Sequence, residues 1–395
     1  MEISLRISPL KNRRHLTWVM RSSVWSLCLL RIKLQKTRRK MRMSNVVKLA
    51  EAKEVVKNTY TFTMLVEAKL ANPNGDPDMG NLPRQDLETE IGIITDVAFK
   101  RRIRNYIDVA YAGEDGMGIL MRNGVSINKE IAKIVLEVNG EEKFAEPFKN
   151  KKVPESAAAF CKRFWDVRTF GGVLSTGRNA GQITGPVQLG MAESVDPIHI
   201  EDMTITRMCY TDGNDFSTIE DYEREEAEHD EQTKRTMGEK KVVSYGLYVV
   251  QGTISPSLAI RTGFSEDDLN KLFEALLQMY EFDNSASKQG MRAASPLIIF
   301  KHIGTHPENP EHNEKEALLG CMPAHKLYNM LRITKKEGVE YPRKLEDYDI
   351  AMQIPETMRG IDIGVKENPF GDIIWRNEST DEFSQTLENN GIQVK

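Results

Sequence analysis

The fold is organised around Asn72-Pro-Asn-Gly-Asp-Pro-Asp78, a polar stretch that continues through Asn81 to Pro83-Arg84. Its prolines, its glycine and its four Asn or Asp side chains, which can cap their own backbone, predict a rigid turn. A strand precedes this turn, because residues 60–66 are rich in β-branched, aromatic and aliphatic side chains. A basic helix follows it over residues 95–107. A strand, a stiff loop and a basic helix in this order indicate a site that holds a polyanion.

Calcium is the obvious rival ligand, because the loop has an oxygen-bearing side chain at every second position. In the register that starts at Asn72, Pro77 replaces the required Gly and Pro83 replaces the bidentate Glu. The register that starts at Asn74 fails at the same two ligand positions. The loop is therefore expected to be structural, and the residues assigned to its shape are Asn72, Asn74, Gly75 and Asp76.

The charge is distributed unevenly along the chain. The 395 residues carry a formal net charge of −4, which argues at first against a nucleic-acid binder. Residues 1–42 contain twelve Lys or Arg and one acid, which leaves 42 of the 54 basic and 57 of the 58 acidic residues for the rest. A body this acidic must concentrate its basic groups locally if it holds a polyanion.

Residues 1–42 are predicted to lie outside the fold. The apolar patch over residues 24–30 is too short to span a membrane and is bounded by Arg21 and Arg31. We expect an upstream extension, with Met43 as a natural start. The four cysteines are scattered without C-x-x-C spacing, as is typical of a reduced cytoplasmic protein.

Two helices and three strands define an α+β class. In the first helix Phe99, Ile103, Tyr106 and Ala110 recur at helical spacing and predict the buried face, with Lys100, Arg101 and Arg104 beside it. A second helix is capped by Ser265 and carries an apolar stripe from Leu269 to Tyr280. Strands over residues 242–255 and 295–301 flank it.

This order, β-α and then β-α-β, predicts an interrupted ferredoxin-like core of the RNA-recognition type. The intervening residues would build inserted lobes, including a hairpin over residues 125–138. An acidic run over residues 212–231 is expected to be a flexible, solvated loop.

The glycine-rich run from Gly171 to Gly185 is a second candidate site. It lacks the G-K-[ST] ending of a phosphate loop and does not fit G-x-G-x-x-G. Glycines let backbone N–H groups approach phosphate oxygens, and Arg178, Asn179 and Gln182 could add side-chain donors. A packed turn beneath the sheet explains each of these residues equally well.

Metal binding and catalysis are not expected. His302, His306 and His312 with Cys321 resemble a zinc set, but Gly304, Pro307 and Pro310 should break any helix that would align them. The sequence offers no paired catalytic base, no Ser/His/Asp arrangement and no zinc-hydrolase motif. No catalytic residue, metal or cofactor is therefore predicted.

Four segments in the same order carry a family resemblance. They are Asn72 to Arg84 with Thr95-Asp96 and Lys100 to Arg104, Phe170 to Gln182 with Gly185 to Gln188, Tyr245 to Tyr248, and Pro323 to Lys326. Over residues 58–333 the chain resembles the backbone subunit of CRISPR Cascade complexes, a RAMP-superfamily protein, in its type I-C branch.

The resemblance implies a scaffold that binds CRISPR RNA along its phosphates, polymerises into a helical filament and presents the guide to target DNA. It implies further partners: the processing or cap subunit, the large and small Cascade subunits, and a helicase-nuclease recruited later. No membrane is involved, and the RNA-binding residues would be Arg84, Lys100, Arg101, Arg104, Arg178, Asn179, Gln182, Lys240 and Lys241.

The same resemblance places a thumb-like protrusion at about residues 200–242, in a domain of residues 43–333, and a C-terminal extension over 334–395. Glu239 stands where the family has a basic residue, which leaves Lys240 and Lys241 as thumb contacts. The alternative function is a metal-dependent ribonuclease of the type III backbone kind that uses Asp76.

Overall fold

The computed structural model describes residues 54–144, 146, 148–209, 215–229, 236–356 and 358–395. The predicted N-terminal extension lies outside these residues. Residues Val55–Lys395 form one compact unit. In the described part of the chain, no helix is long and apolar enough to cross a membrane.

The helices are α1 (Asp96–Ala110), α2 (Ile127–Asn139), α3 (Val153–Arg163), α4 (Trp165–Phe170), α5 (Ile219–Glu228), α6 (Pro256–Thr262), α7 (Glu266–Phe282), α8 (Pro310–Leu319), α9 (Ala324–Tyr328) and α10 (Thr380–Asn389). The strands are β1 (Tyr60–Ala71), β2 (Gly75–Asp76), β3 (Leu82–Pro83), β4 (Ile91–Ile94), β5 (Gly171–Leu174), β6 (Gly181–Thr184), β7 (Val187–Leu189), β8 (Ala192–Pro197), β9 (Ile200–Arg207), β10 (Thr236–Ile254), β11 (Met291–Ala293), β12 (Leu297–His302), β13 (Leu331–Lys335), β14 (Tyr348–Met352), β15 (Ile361–Lys366), β16 (Ile374–Trp375) and β17 (Ile392–Val394).

One large antiparallel sheet dominates the described residues. Its strand order is β16-β15-β12-β1-β10-β8-β4, with β11 also paired to β1, and with β7 and β9 also paired to β10. The central strand β1 pairs with β10 from Tyr60↔Ile254 to Ala71↔Val243. Such a strand is covered on both faces, which explains why nearly all of β1 is buried. The predicted α+β class is confirmed.

Helices α1 and α7 cover one face of this sheet. Phe273 of α7 meets the ring of Phe62 edge-on, with 5.9 Å between the ring centroids. Tyr106 of α1 donates its hydroxyl to Glu274 of α7 at 2.6 Å. Helix α7 begins as predicted, because Ser265 and Asp268 form a reciprocal capping box.

The C-terminal residues cover the opposite face. Leu65, Leu247 and Phe300 of the sheet share one buried cluster with Phe383 and Leu387 of α10. Strand β15 pairs with β12 along its whole length. Phe383 and Leu387, which belong to the segment expected to be a C-terminal extension, are therefore buried together with residues of the sheet.

Two predicted elements are wrong. The hairpin expected over residues 125–138 is helix α2, which Ser126 caps by accepting from the N–H of Lys129. The β-branched Ile and Val residues that resembled strand residues instead recur at three to four residue spacing and are buried. The acidic run contains α5 where it is described, and Thr218 caps this helix.

Helix α1 forms as predicted, with one difference on its buried face. Phe99, Ile103 and Tyr106 are buried, but Ile107 takes the place expected for Ala110. Cys161 is buried and Cys321 is partly buried, and neither forms a disulfide within the described residues.

Candidate nucleic-acid interface

The loop of residues 72–84 is fixed by its own side chains. Asn72 Nδ2 donates to the carbonyl of Asn81 at 2.8 Å. Asn74 Oδ1 accepts from both the backbone N–H and the hydroxyl of Thr95 at 2.9 Å each, which ties the loop to the start of α1. Asp76 accepts from Arg84 at 2.9 Å. The loop is thereby held against the positive N-terminal end of α1.

A second segment, residues 283–290, holds the loop from the other side and was not among the predicted site residues. The N–H of Asn72 donates to the carbonyl of Ser287 at 2.8 Å. Lys288 Nζ donates to the carbonyls of Asn72 and Pro73, the latter at 2.8 Å. Burial lowers the pKa of Lys288 to about 8. A lysine inside the turn-rich run from Asn284 to Gly290 was the available sequence signal.

Arg84 lies at the end of the loop, and part of its side chain remains exposed. Its guanidinium pairs with Asp76, and 34% of its side chain is exposed. Its Nε has no hydrogen-bond partner among the described residues. This Nε is buried, so an incoming phosphate could reach only the exposed third of the Arg84 side chain.

The three basic residues predicted on α1 have different roles. Lys100 pairs with Asp96 at 2.7 Å and lies over the ring of Phe170. Arg104 pairs with Asp166 at 3.0 Å, with 12% of the arginine and 0% of the aspartate side chain exposed. Arg101 is exposed and makes no ion pair or hydrogen bond within the described part of the chain.

Arg104 is therefore built into the core. Asp166 also accepts from the N–H groups of Leu120 and Met121, so the ion pair joins α1 to the inserted lobe. A Lys100→Glu, Arg104→Glu variant would place a negative charge beside the buried carboxylate of Asp166. That variant would not report on RNA binding alone.

The glycine-rich run forms the β5–β6 hairpin. At its base Gly171 has a φ of +81°, and a Cβ on Gly185 would lie 2.4 Å from the backbone nitrogen of Gly171. The two backbones can pass this closely only because neither residue has a side chain. The base of the hairpin follows Phe170 directly, so it lies beside Lys100 and Arg104.

The tip of the hairpin belongs to the inserted lobe. Arg178 pairs with Glu146 at 2.7 Å and lies over the ring of Phe144 at 4.1 Å from its centroid. The hydrogen bond from Arg178 lowers the pKa of Glu146. Asn179 has a φ of +51°, and its side chain accepts from the N–H of Gly181. Gln182 is exposed on β6.

The predicted thumb contacts lie near the base of a long ladder. Residues 236–242 of β10 continue past the end of β1 and pair only with β9. Lys240 Nζ donates to the carbonyl of Ala286, which places it beside the segment that holds the loop. Hydrogen bonds from Lys241 to Asp202 and Glu239 raise the pKa of Lys241.

The structure therefore brings most of these elements together around the loop of residues 72–84. Arg178 and Asn179 lie apart from them. The loop of residues 72–84, the segment 283–290, Lys240 and the start of α1 are joined by hydrogen bonds. Lys100 and Arg104 connect this group, through Phe170, to the base of the hairpin. Arg178 and Asn179 contact the inserted lobe instead.

The four residues considered for zinc are not gathered as a set. His302 ends β12, where its Nδ1 accepts from the N–H of Cys321 at 3.0 Å and burial lowers its pKa to about 4. Pro310 does not break the helix as predicted, because it occupies the first turn of α8, where a proline is tolerated. His312 therefore lies on a helix.

Both carboxylate oxygens of Asp76 are engaged. Oδ2 accepts from Arg84 and Oδ1 accepts from the N–H of Asp78. In the described part of the chain, the group of side chains arranged to hold a metal ion does not include Asp76. The geometry therefore gives the ribonuclease alternative no support.

Known proteins that are similar to this chain include a curated protein and chains of two solved complexes. The curated CRISPR-associated protein Cas7 of Haloferax volcanii is 32% identical over 118 residues, a stretch that covers 30% of this chain and 33% of that relative's length. One chain of a solved CRISPR RNA-guided surveillance complex, pre-nicking, has a TM-score of 0.39 at 15% identity and covers 69% of this chain and 85% of its own. A chain of a second CRISPR RNA-guided surveillance complex has a TM-score of 0.35 at 12% identity, covering 61% and 68%.

The family model described as CRISPR-associated protein Cas7 matches residues 58–353, well over half of the sequence. The match includes the loop of residues 72–84, α1, the β5–β6 hairpin and β10. The chain belongs to the CRISPR-associated protein Cas7 family.

Proposed function

We propose that this protein is a non-enzymatic backbone subunit that binds CRISPR RNA in a type I-C Cascade surveillance complex. Several copies polymerise along the guide, beside the cap, large and small subunits, and leave the guide bases free to pair with target DNA. Phosphate neutralisation by Lys and Arg gives affinity without sequence preference, which suits a subunit that must accept any guide.

The observation that carries this proposal is the group built around the loop of residues 72–84. Backbone groups, Asn side chains and the Lys288 amine fix the loop, while Arg84 and Arg101 remain accessible at its end and on the next helix. Exposed arginines on a rigid support can meet phosphates without a large ordering cost.

The strand pairing favours a ferredoxin-like core. Strands β12, β1, β10 and β8 or β9 lie side by side and antiparallel, in the spatial order 4-1-3-2 of a β-α-β-β-α-β unit. The exposed β9–β10 ladder, which continues past β1, is our candidate for the thumb. Residues 43–333 would supply this domain, with 334–395 completing its core.

The test is a charge reversal at the accessible arginine. Arg101→Glu should weaken binding of the purified chain to CRISPR RNA and shorten the RNA that copurifies with it. Arg343→Glu makes the same change at an exposed arginine of the C-terminal segment and serves as the matched control. Equal affinity for the two variants in fluorescence anisotropy would remove α1 from the interface.

A second experiment separates the scaffold from the ribonuclease alternative. The purified complex is incubated with complementary RNA and magnesium. We expect no cleavage of that RNA. Cleavage that disappears in Asp76→Ala would overturn the non-enzymatic assignment.

A further inference from the structure

We propose that His306, His312 and Glu316 form a binding site for one divalent transition-metal ion of the Zn²⁺ class. The ligand atoms of these three side chains all lie within 4.8 Å of one another. His312 and Glu316 are one turn apart on α8, and His306 lies in the loop that connects β12 to this helix. None of these three residues belongs to the proposed RNA interface.

The two distances between an imidazole nitrogen and a Glu316 oxygen, one to each carboxylate oxygen, are close to the spacing of neighbouring ligands in a tetrahedral zinc site. Two ligands at about 2.0–2.1 Å from Zn²⁺ and at the tetrahedral angle lie about 3.3 Å apart. Glu316 Oε2 lies 3.3 Å from His306 Nδ1, and Glu316 Oε1 lies 3.4 Å from His312 Nε2. Both imidazoles are about half exposed, so they can rotate toward a common ion.

Thr305 holds the carboxylate in place. Its N–H and its hydroxyl both donate to Glu316 Oε2, at 2.6 and 2.7 Å. These two hydrogen bonds fix the orientation of the Glu316 carboxylate beside the two imidazoles. Hydrogen bonds of this kind, which orient a ligand from outside the metal's own shell, are a regular part of metal sites.

The helix itself lacks an apolar anchor. Ala317 is the single buried residue of the ten in α8. A helix of this length normally depends on a buried face, so polar links must fix α8 here. Asn313 provides one link, because its side chain donates to the carbonyl of Ile303 and accepts from the N–H of His306. An ion shared by His306, His312 and Glu316 would likewise tie the loop between β12 and α8 to α8.

The donor set selects the class of ion. Two imidazoles and one carboxylate suit Zn²⁺ and its neighbours, whereas Mg²⁺ and Ca²⁺ prefer sites made of oxygen ligands alone. Three protein ligands leave a fourth position for water.

The experiment uses the full chain without a histidine tag, stripped of metal by a chelator. Zn²⁺ is titrated in competition with a chromogenic chelator, and Co²⁺ binding is followed by visible absorption, which is strong for a four-coordinate site. We expect one ion per chain. His312→Ala and Glu316→Gln should weaken Zn²⁺ binding by more than the about 10–100-fold expected for Thr305→Val, which removes only an orienting hydroxyl.

His325→Ala removes an exposed histidine outside the cluster and should bind Zn²⁺ as the parent chain does. Circular dichroism establishes that each variant is folded, and Thr305→Val keeps all three ligands if a ligand variant fails this check. The proposal is overturned by the absence of saturable binding, by equal affinity in the parent chain and the three site variants, or by loss of binding in His325→Ala.

Discussion

Arg104→Ala tests whether Arg104 is a buried structural residue of α1, in contrast to the exposed Arg101 on the same helix. The ion pair between Arg104 and Asp166 is nearly closed to solvent, with 12% and 0% of the two side chains exposed. Removing one partner of a buried pair costs about 3–5 kcal/mol, because the other charge is left uncompensated. The free energy of unfolding should therefore fall substantially.

The remaining contacts of Asp166 set the size of this loss. Oδ1 still accepts from the N–H of Leu120 at 2.9 Å, and Oδ2 still accepts from the N–H of Met121 at 3.0 Å. Hydrogen bonds to a charged group stabilise it, so part of the charge stays compensated. We expect the lower end of the range, about 3 kcal/mol.

Arg101→Ala is the matched control, because it makes the same substitution on the same helix. Arg101 is exposed, so its removal should change stability by no more than about 0.5 kcal/mol while weakening RNA binding. Urea unfolding of each purified chain measures the first effect, and the salt dependence of RNA affinity measures the second. Equal unfolding midpoints for the two variants would refute the assignment of Arg104 to the core.

Two further predictions concern the segment that holds the loop. Because burial lowers the pKa of Lys288 to about 8, the unfolded chain binds the extra proton above that pH, and stability should rise by at most about 3 kcal/mol between pH 8 and pH 10. Denaturation of Lys288→Met across this range should lack the rise, and an identical rise would contradict the burial of the amine. Gly290→Ala places a Cβ 1.7 Å from the carbonyl oxygen of Lys69 and should cost about 1–3 kcal/mol in thermal unfolding, whereas Gly238→Ala meets nothing within 4 Å and should be neutral.

The elements that the sequence predicted correctly are those that local chemistry specifies. Strand β1 follows from its run of apolar and β-branched residues, and α7 from Ser265 with the apolar stripe that follows it. Helix α2 was mistaken for a hairpin because its Ile and Val residues favour strands and only their spacing indicates a helix.

The site was less predictable, because its decisive contacts are distant in sequence. Asp166, the ion-pair partner of Arg104, lies 62 residues away from it, and Asn72 lies 216 residues from Lys288. The sequence around Arg104 or Asn72 therefore contains no motif that indicates its distant partner. Sequence alone could therefore identify the basic residues but could not divide them by role.

The Arg84–Asp76 and Arg104–Asp166 ion pairs differ in the free energy needed to separate them. Arg84 and Asp76 keep 34% and 22% of their side chains exposed, and such a pair is worth about 0–1 kcal/mol. An incoming phosphate can replace the Asp76 carboxylate as the partner of Arg84, so one anion is exchanged for another and little stability is lost. Asp166 has no exposed surface, so releasing Arg104 would leave a buried charge. If the proposed interface is correct, RNA should open the exposed pair and leave the buried one closed, and the loop of residues 72–84 would be the part that responds to the guide.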